Sequence, residues 1–255
     1  MAESAWDPDQ YLRFAAERRR PFDDLLAQLE PVPGGSAVDL GCGTGELTVE
    51  LHQHLKADET VGIDDSTSML ERAQALDAPG VRFELGRLEE WSPVAPVDVI
   101  FANASLHWVP NHPALLDHLT AGLAVGGQLT FQVPANQDHP SHLLAAELAG
   151  ERGLDVRGGA VSVLPPEDYA TLLHELGLVE IDVILRVYGF ELPSAADVVE
   201  WTKGTLLTGY RAQLDDAGYA EFEGTYRRRL VDELGAEGPY YYAFKRILAR
   251  ARRPA

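Results

Sequence analysis

From about Ser36 to Val133 the apolar positions of the chain alternate between two rhythms. Short continuous runs, Ala37–Leu40, Thr60–Ile63, Val81–Leu85, Val97–Ala102 and Gln128–Val133, read as buried strands. Between them lie stretches with helical patterning: Glu46–Leu51, Ser66–Leu76 with Ser66 as its cap, and Pro113–Leu123, which ends before Gly126 and Gly127. Strand and helix in regular alternation predict βαβ units, and hence a parallel sheet with helices on both faces. Beyond Val133 the pattern is less regular. Ser141–Arg152 and Glu167–Leu176 read as helices flanking a Gly- and Pro-marked loop, Gly177 ends the second, and Val179–Val187 alternates as a strand. Pro193–Trp201 and Asp215–Leu234 predict the helices of a cap, and Tyr240–Ala249 a last strand with one face partly exposed. No repeat, low-complexity segment or long linker interrupts the order.

The most informative segment joins the first strand to the first helix: Val38-Asp39-Leu40-Gly41-Cys42-Gly43-Thr44-Gly45. A strand, a glycine turn and a helix start build a backbone crevice that a nucleotide-like ligand can approach closely. Asp64 ends the second apolar run 19 residues after Gly45, where a carboxylate can accept hydrogen bonds from both ribose hydroxyls. A dinucleotide turn would carry G-x-G-x-x-G, but its third glycine position is Glu46 here. A carboxylate at the helix mouth repels a pyrophosphate and suits a cofactor bearing an ammonium group. The turn therefore reads as a site for S-adenosylmethionine. The competing classes are a nicotinamide oxidoreductase and a helix start that uses glycine for packing alone, which accounts for Gly41 better than for three glycines plus Asp64.

At 255 residues the chain fits one α/β domain with an insertion or cap, or at most two domains. Its net charge of −19 argues against nucleic acid and anionic membranes as partners, and an anionic substrate would need a local basic pocket. No apolar run approaches the ~20 residues that cross a bilayer. The acidic N-terminus lacks a secretory apolar region, and Cys42 is the only cysteine, so neither a disulfide within the chain nor a cysteine-based zinc site is expected. His112, His139 and His142 lack metal-ligand spacing, and no metal is expected. A cytoplasmic, soluble monomer is the expectation.

Three further segments carry a family likeness: Trp6-Asp7-Pro8 with Tyr11, Leu12, Phe14, Arg18, Arg20 and Pro21; Ala102-Asn103-Ala104-Ser105-Leu106-His107-Trp108-Val109-Pro110; and Pro134, Asn136 and Pro140-Ser141-His142. Phe244 and Arg246 also fit the pattern. With the glycine turn, the chain resembles the class I, Rossmann-like S-adenosylmethionine-dependent methyltransferases, and within them the trans-aconitate methyltransferase family over nearly its whole length. The resemblance implies a mostly parallel seven-stranded sheet with helices on both faces and a small helical cap. It divides the chain into an N-terminal helical cap over the active site (1–34), a cofactor-binding core (35–135) and a remainder that completes the sheet and adds a substrate cap (136–255).

It also implies roles. Asp39 belongs to the cofactor site, Gly41, Cys42, Gly43 and Gly45 to the cofactor's methionine end, Asp64 to the ribose, Asp65 and Met69 to the flanks of ribose and adenine, and Asn103 to the methionine moiety. Family members usually place Gly-Asp after the third strand, where the carboxylate takes the adenine amino group. This chain has Gly86-Arg87, and Arg87 has no acceptor to offer. Either Arg87 stacks on adenine, or Glu89 reaches in, or the backbone at Leu88 suffices. A second departure is Leu207-Thr208-Gly209-Tyr210, where the family tends to carry a basic residue. Lys203 and Arg211 stand near but not at that place.

The implied reaction is methylation of a carboxylate of trans-aconitate or a related small polycarboxylic acid. A carboxylate is already ionised at pH 7, so no general base is required, and no Ser-His-Asp or Cys-His set is found. Alignment and exclusion of water remain as the enzyme's contribution. Arginine grips carboxylates bidentately, so Arg18 and Arg20, on a helix that also carries Tyr11 and Phe14, are candidate substrate ligands, with Trp6 beside them. The plain alternative is a helix end using arginines against its dipole. His107 and Trp108 are positioning candidates, or a loop histidine packed on its neighbour. Arg157, Arg246, Tyr188 and Tyr241 either line the pocket or cover the core. Transfer to another small metabolite, and cofactor binding without transfer, are the competing functions.

Overall fold

The computed structural model describes residues 15–155, 163–235 and 238–255, with side chains in the first stretch from Arg19 onward. Seven strands form one sheet: β1 (Ser36–Leu40), β2 (Glu59–Asp64), β3 (Val81–Leu85), β4 (Val97–Asn103), β5 (Leu123–Pro134), β6 (Val179–Leu192) and β7 (Tyr240–Arg252). Their order is β3-β2-β1-β4-β5-β7-β6. The first five pair in parallel, and β7 runs antiparallel to β5 with Gln128 opposite Arg252 and Pro134 opposite Arg246. The chain runs outward from β1 to β2 and β3, then returns to place β4 on the other side of β1. That reversal opens a crevice at the carboxyl ends of β1 and β4, where open sheets of this kind bind ligands.

The helices are α1 (Ala15–Leu26), α2 (Glu46–Leu55), α3 (Thr67–Ala73), α4 (His112–Ala121), α5 (Pro140–Glu151), α6 (Pro166–Glu175), α7 (Asp197–Lys203), α8 (Thr208–Arg211) and α9 (Asp216–Leu234). Side chains alternate across the sheet, and each face finds its own cover. On one face Ala37, Val99, Phe101 and Leu248 pack with Phe22 and Leu25 of α1, the following Leu29, and Leu51 and Leu55 of α2. Phe22 meets Phe101 edge-on, with ring centroids 5.9 Å apart. On the other face Phe131 of β5 meets Tyr169 of α6 at 5.3 Å.

Contacts along the chain define two units. One comprises Arg20–Pro134, Ser162–Arg186 and Arg246–Ala255 and holds the parallel strands. The other draws on Ala135–Val161 and Val187–Lys245. This second unit has an aromatic core of its own, with Tyr188, Trp201, Tyr210, Phe222, Tyr226, Tyr242 and Phe244 all nearly inaccessible. Tyr188 stacks on Phe244 at 5.3 Å. Residues 136–255 thus contribute to both units.

Several elements differ from the sequence reading at their edges. The helix expected over Pro113–Leu123 ends at Ala121, and Leu123 opens β5 opposite Val97, after which the register shifts and residues 124–127 loop out. Asn111 caps this helix through Ala114 N–H at 3.3 Å. The helix expected from Pro193 begins at Asp197, whose carboxylate accepts the Ser194 hydroxyl at 2.8 Å. Strand β7 extends to Arg252 because its ladder with β5 runs on to Gln128, while Arg250 and Arg252 place their charge against Glu180 at 3.2 Å. Two short 3-10 turns, Leu88–Glu90 and Leu106–Trp108, and the four-residue α8 fall below any periodic signal. Among the described residues no helix is long and apolar enough to cross a membrane.

Candidate cofactor and acceptor site

The glycine turn hangs from β2. The amides of Gly41 and Cys42 both donate to the Ile63 carbonyl, at 2.7 and 3.0 Å. Gly41, Gly43 and Gly45 all have left-handed φ, at 81°, 56° and 85°. Their missing side chains mean different things. A Cβ on Gly41 would collide with Cβ of Ser105, and one on Gly45 would lie 2.6 Å from the Phe83 ring. A Cβ on Gly43 would meet nothing within 4 Å. Two of the glycines therefore admit neighbouring side chains, and Gly43 leaves the crevice itself clear.

Asp64 closes one side of the turn. Its Oδ2 accepts the Gly43 N–H and its Oδ1 the Ser66 N–H, each at 2.9 Å. Each carboxylate oxygen keeps acceptor capacity for a further donor. Burial raises the pKa of Asp64, against the pull of these two amides. Deeper in, Asp39 is 3% exposed and accepts the Thr48 hydroxyl at 2.6 Å. Burial, aided by the charge of Asp64, pushes Asp39 up to about 7. Burial, with Asp39 and Asp64 beside it, also pushes the Cys42 thiol up, so it is no nucleophile at neutral pH.

Glu46 is exposed at the first turn of α2 and accepts the Thr44 hydroxyl. Arg87 is 61% exposed and tied to Glu89 and, at 3.9 Å, to Glu90. Asp65 is exposed, while Met69 and Leu88 are half-buried.

Across the crevice β4 ends in Asn103, whose Oδ1 accepts from Gln132 Nε2 at 2.8 Å. Ala104 then takes a left-handed φ of 56°, rare for a residue with a side chain. Ser105 Oγ donates to the Leu40 carbonyl at 2.5 Å. The turn Leu106–Trp108 follows, with the His107 and Trp108 rings 4.6 Å apart and Trp108 51% exposed. His112 supports it from beneath. Its Nε2 donates to the Leu106 carbonyl at 3.0 Å, which makes Nδ1 the acceptor of the Tyr169 hydroxyl. That hydroxyl oxygen accepts the Leu164 N–H at 3.3 Å, so the network closes. His107 is half-buried, but its Nδ1 is wholly buried and has no hydrogen-bond partner among the described residues. Burial, with the neighbouring Arg246 guanidinium, lowers His107 to about 3. Arg246, whose Nε is buried, enters from the start of the β7–β5 pairing.

The structure thus gathers Asp39, Gly41, Cys42, Gly43, Gly45, Asp64 and Asn103 with Ser105, His107, Trp108 and Arg246 at strand carboxyl ends. Arg20 is exposed on α1, Tyr188 is a core residue and Tyr241 is 66% exposed. Trp6, Tyr11, Phe14 and Arg157 lie outside the described residues, and of Arg18 only the backbone is described. Lys203 is held by Glu223 at 2.7 Å and Glu200 at 3.2 Å, and Arg211 by Asp216 and the Leu214 carbonyl. Sequence reasoning passed over Thr48, Ser105 and Gln132. Gln132 carried the clearest signal, a polar residue inside an apolar strand run, and Ser105 carried none beyond its place in the motif.

A family model described as a methyltransferase domain matches residues 14–183. A trans-aconitate 2-methyltransferase of Deinococcus radiodurans is 43% identical, with 98% of each chain covered. The chain belongs to the trans-aconitate 2-methyltransferase family. A second member, from Klebsiella pneumoniae, is 39% identical over 97% of this chain and 98% of its own. Among solved structures the YcgJ protein of Bacillus subtilis superposes with TM-score 0.64 at 15% identity, covering 93% of this chain and 99% of its own. A Haemonchus contortus phosphoethanolamine N-methyltransferase 2 in complex with S-adenosyl-L-methionine gives TM-score 0.56 at 15% identity, over 92% of this chain and 53% of that one. These two show the fold, a Rossmann-like methyltransferase sheet.

As a family member the chain is an S-adenosyl-L-methionine-dependent methyltransferase. Its residues fit that cofactor. Gly43 leaves open the space a side chain would fill, Asp64 has acceptor capacity to spare, and no basic side chain in the turn calls for a pyrophosphate. Asp64 would hold the ribose, and the Gly41–Gly45 backbone with Asn103 the amino-acid end.

Proposed function

We propose that the enzyme esterifies one carboxylate of trans-aconitate or a related small polycarboxylic acid. The observation that supports this reading is a buried, partnerless His107 nitrogen just past the end of β4, lying within the field of the Arg246 guanidinium. In a chain of net charge −19, a half-buried arginine at the ligand-binding edge, with its Nε buried, favours an anion. When bound, S-adenosyl-L-methionine supplies an electrophilic methyl group on a sulfonium sulfur.

The protein's own tasks are then few. Arg246 neutralises and orients a carboxylate, and an ionised carboxylate attacks with a lone pair it already has, so no proton need be moved. With its pKa pushed down to about 3, His107 is too weak a base to take a proton at neutral pH, so its role is to orient. The Trp108 ring shields the acceptor from water. Trp6, Tyr11, Phe14, Arg18, Arg20 and Arg157 enter this proposal from the sequence and the family resemblance, and a monomeric state and a cytoplasmic location are proposed with them.

Replacing Arg246 by Met should raise KM for trans-aconitate roughly 10- to 100-fold, the worth of a charged hydrogen bond. The dissociation constant for S-adenosyl-L-methionine, measured by calorimetry, should stay within about threefold, because Asp64 and the glycine turn are untouched. An unchanged KM would remove Arg246 from the acceptor site.

A second reading keeps the cofactor and exchanges the acceptor for a less charged carboxylic acid. It is favoured by the engagement of Lys203 and Arg211 with acidic partners. Faster esterification of mono- or dicarboxylic acids than of trans-aconitate would select it.

A further inference from the structure

Two loops must face each other for methyl transfer, the glycine turn after β1 and the segment Ala104–Trp108 after β4, and the Ser105 side chain spans them. Ser105 is 5% exposed and donates from Oγ to the carbonyl of Leu40, the last residue of β1. The next residue, Gly41, has no side chain where one would strike Cβ of Ser105. Glycine at 41 and serine at 105 thus form one interlocked contact.

Both ends of the contact are anchored. On the cofactor side, Gly41 and Cys42 donate together to the Ile63 carbonyl, next to Asp64. On the acceptor side, the Ser105 carbonyl accepts the Trp108 N–H at 3.1 Å, and His112 holds the Leu106 carbonyl at 3.0 Å. The left-handed φ of 56° at Ala104 is a conformation that such surroundings must impose on a residue with a side chain. Packed and hydrogen-bonded groups therefore run without a gap from the ribose carboxylate to His107 and Trp108.

We infer that Ser105 is a positioning residue that fastens the acceptor loop to the cofactor loop, so that filling the cofactor site stiffens the acceptor site. Its consequence for methyl transfer rests on the acceptor lying beside His107 and Trp108, as proposed above. The mechanical coupling does not depend on which acceptor is used.

Amide hydrogen exchange over Ala104–Val109, with and without S-adenosylhomocysteine, tests the coupling. In the wild type the product should slow exchange of this segment about tenfold, a typical coupling between linked sites. In Ser105→Ala the slowing should shrink to about threefold or less, while calorimetry finds S-adenosylhomocysteine affinity within about threefold of wild type. Equal slowing in both proteins, or none in the wild type, overturns the inference. Circular dichroism establishes folding. If Ser105→Ala does not fold, Ser105→Cys, which keeps Cβ and a weaker donor, is measured in the same way and should show partial loss. In the activity arm, kcat of the variant should fall with both KM values unchanged. A wild type that yields no ester with trans-aconitate fails the acceptor reading, and the exchange arm still decides the coupling.

Discussion

The three glycines after β1 share a backbone conformation but not a purpose. Gly45 makes room for the Phe83 ring, so Gly45→Ala adds overpacking to a strained left-handed φ of 85°. It should cost about 3 kcal/mol in denaturant unfolding. Gly43 faces open space, so Gly43→Ala should cost about 1 kcal/mol of stability yet weaken S-adenosyl-L-methionine at least roughly tenfold by calorimetry. Similar cofactor loss in both, in step with stability, would deny the distinction. Asp39 makes a second residue-level claim. Its folded pKa of about 7 lies above the 3.8 of an ordinary Asp. Between those values the native protein holds a proton that the unfolded chain has released, so this group's contribution falls as pH rises through that window. Asp39→Asn removes that dependence. The melting temperature of the ligand-free variant relative to wild type should therefore climb from about pH 4 to about pH 7. A difference independent of pH would place the Asp39 pKa near its ordinary value.

At the scale of elements, helix α1 matters as a structural member beyond any part it plays in binding. Phe22 and Leu25 are wholly buried against Leu51, Leu55, Phe101 and Leu248. Phe22→Ala should destabilise the protein by about 3–5 kcal/mol in thermal or denaturant unfolding, the usual cost of emptying a packed aromatic site. A cost below about 1 kcal/mol would mean that the helix does not hold the sheet face. The parallel strands were legible because both of their faces are buried and each reads as an apolar run. Strand β7 was read short, since Arg250 and Arg252 interrupt its apolar pattern and only their partners Glu180 and Glu30, distant in sequence, explain them. The Leu106–Trp108 turn has no period to detect, yet the proposed acceptor side of the site rests on it. Motif residues such as Asn136 and Ser141, which mark the family, serve local structure here. Asn136 Oδ1 accepts the Lys245 N–H at 2.6 Å, and the Ser141 carbonyl accepts the Tyr226 hydroxyl at 3.1 Å.

For the whole molecule, the cofactor half of the site was readable and the acceptor half only in outline. A glycine turn and a carboxylate at the end of the next strand are local features, and their spacing alone carries the chemistry. The proposed acceptor side depends on Arg246 lying near enough to His107 for its charge to be felt there, an arrangement of residues far apart in the chain that the antiparallel β5–β7 pairing brings about. Arg87 illustrates the same limit. Its residue type removed the expected acceptor, but its pairing with Glu89 and Glu90 is a matter of fold. The acidic composition makes the half-buried Arg246 conspicuous and is itself no guide to substrate. The most direct test supplies S-adenosyl-L-methionine carrying a deuterated methyl group together with trans-aconitate, and examines the products by mass spectrometry and NMR. The labelled methyl should appear as a monomethyl ester, matched mole for mole by S-adenosylhomocysteine. Recovery of unmodified trans-aconitate, under conditions where the same enzyme methylates another acceptor, would contradict the proposed reaction.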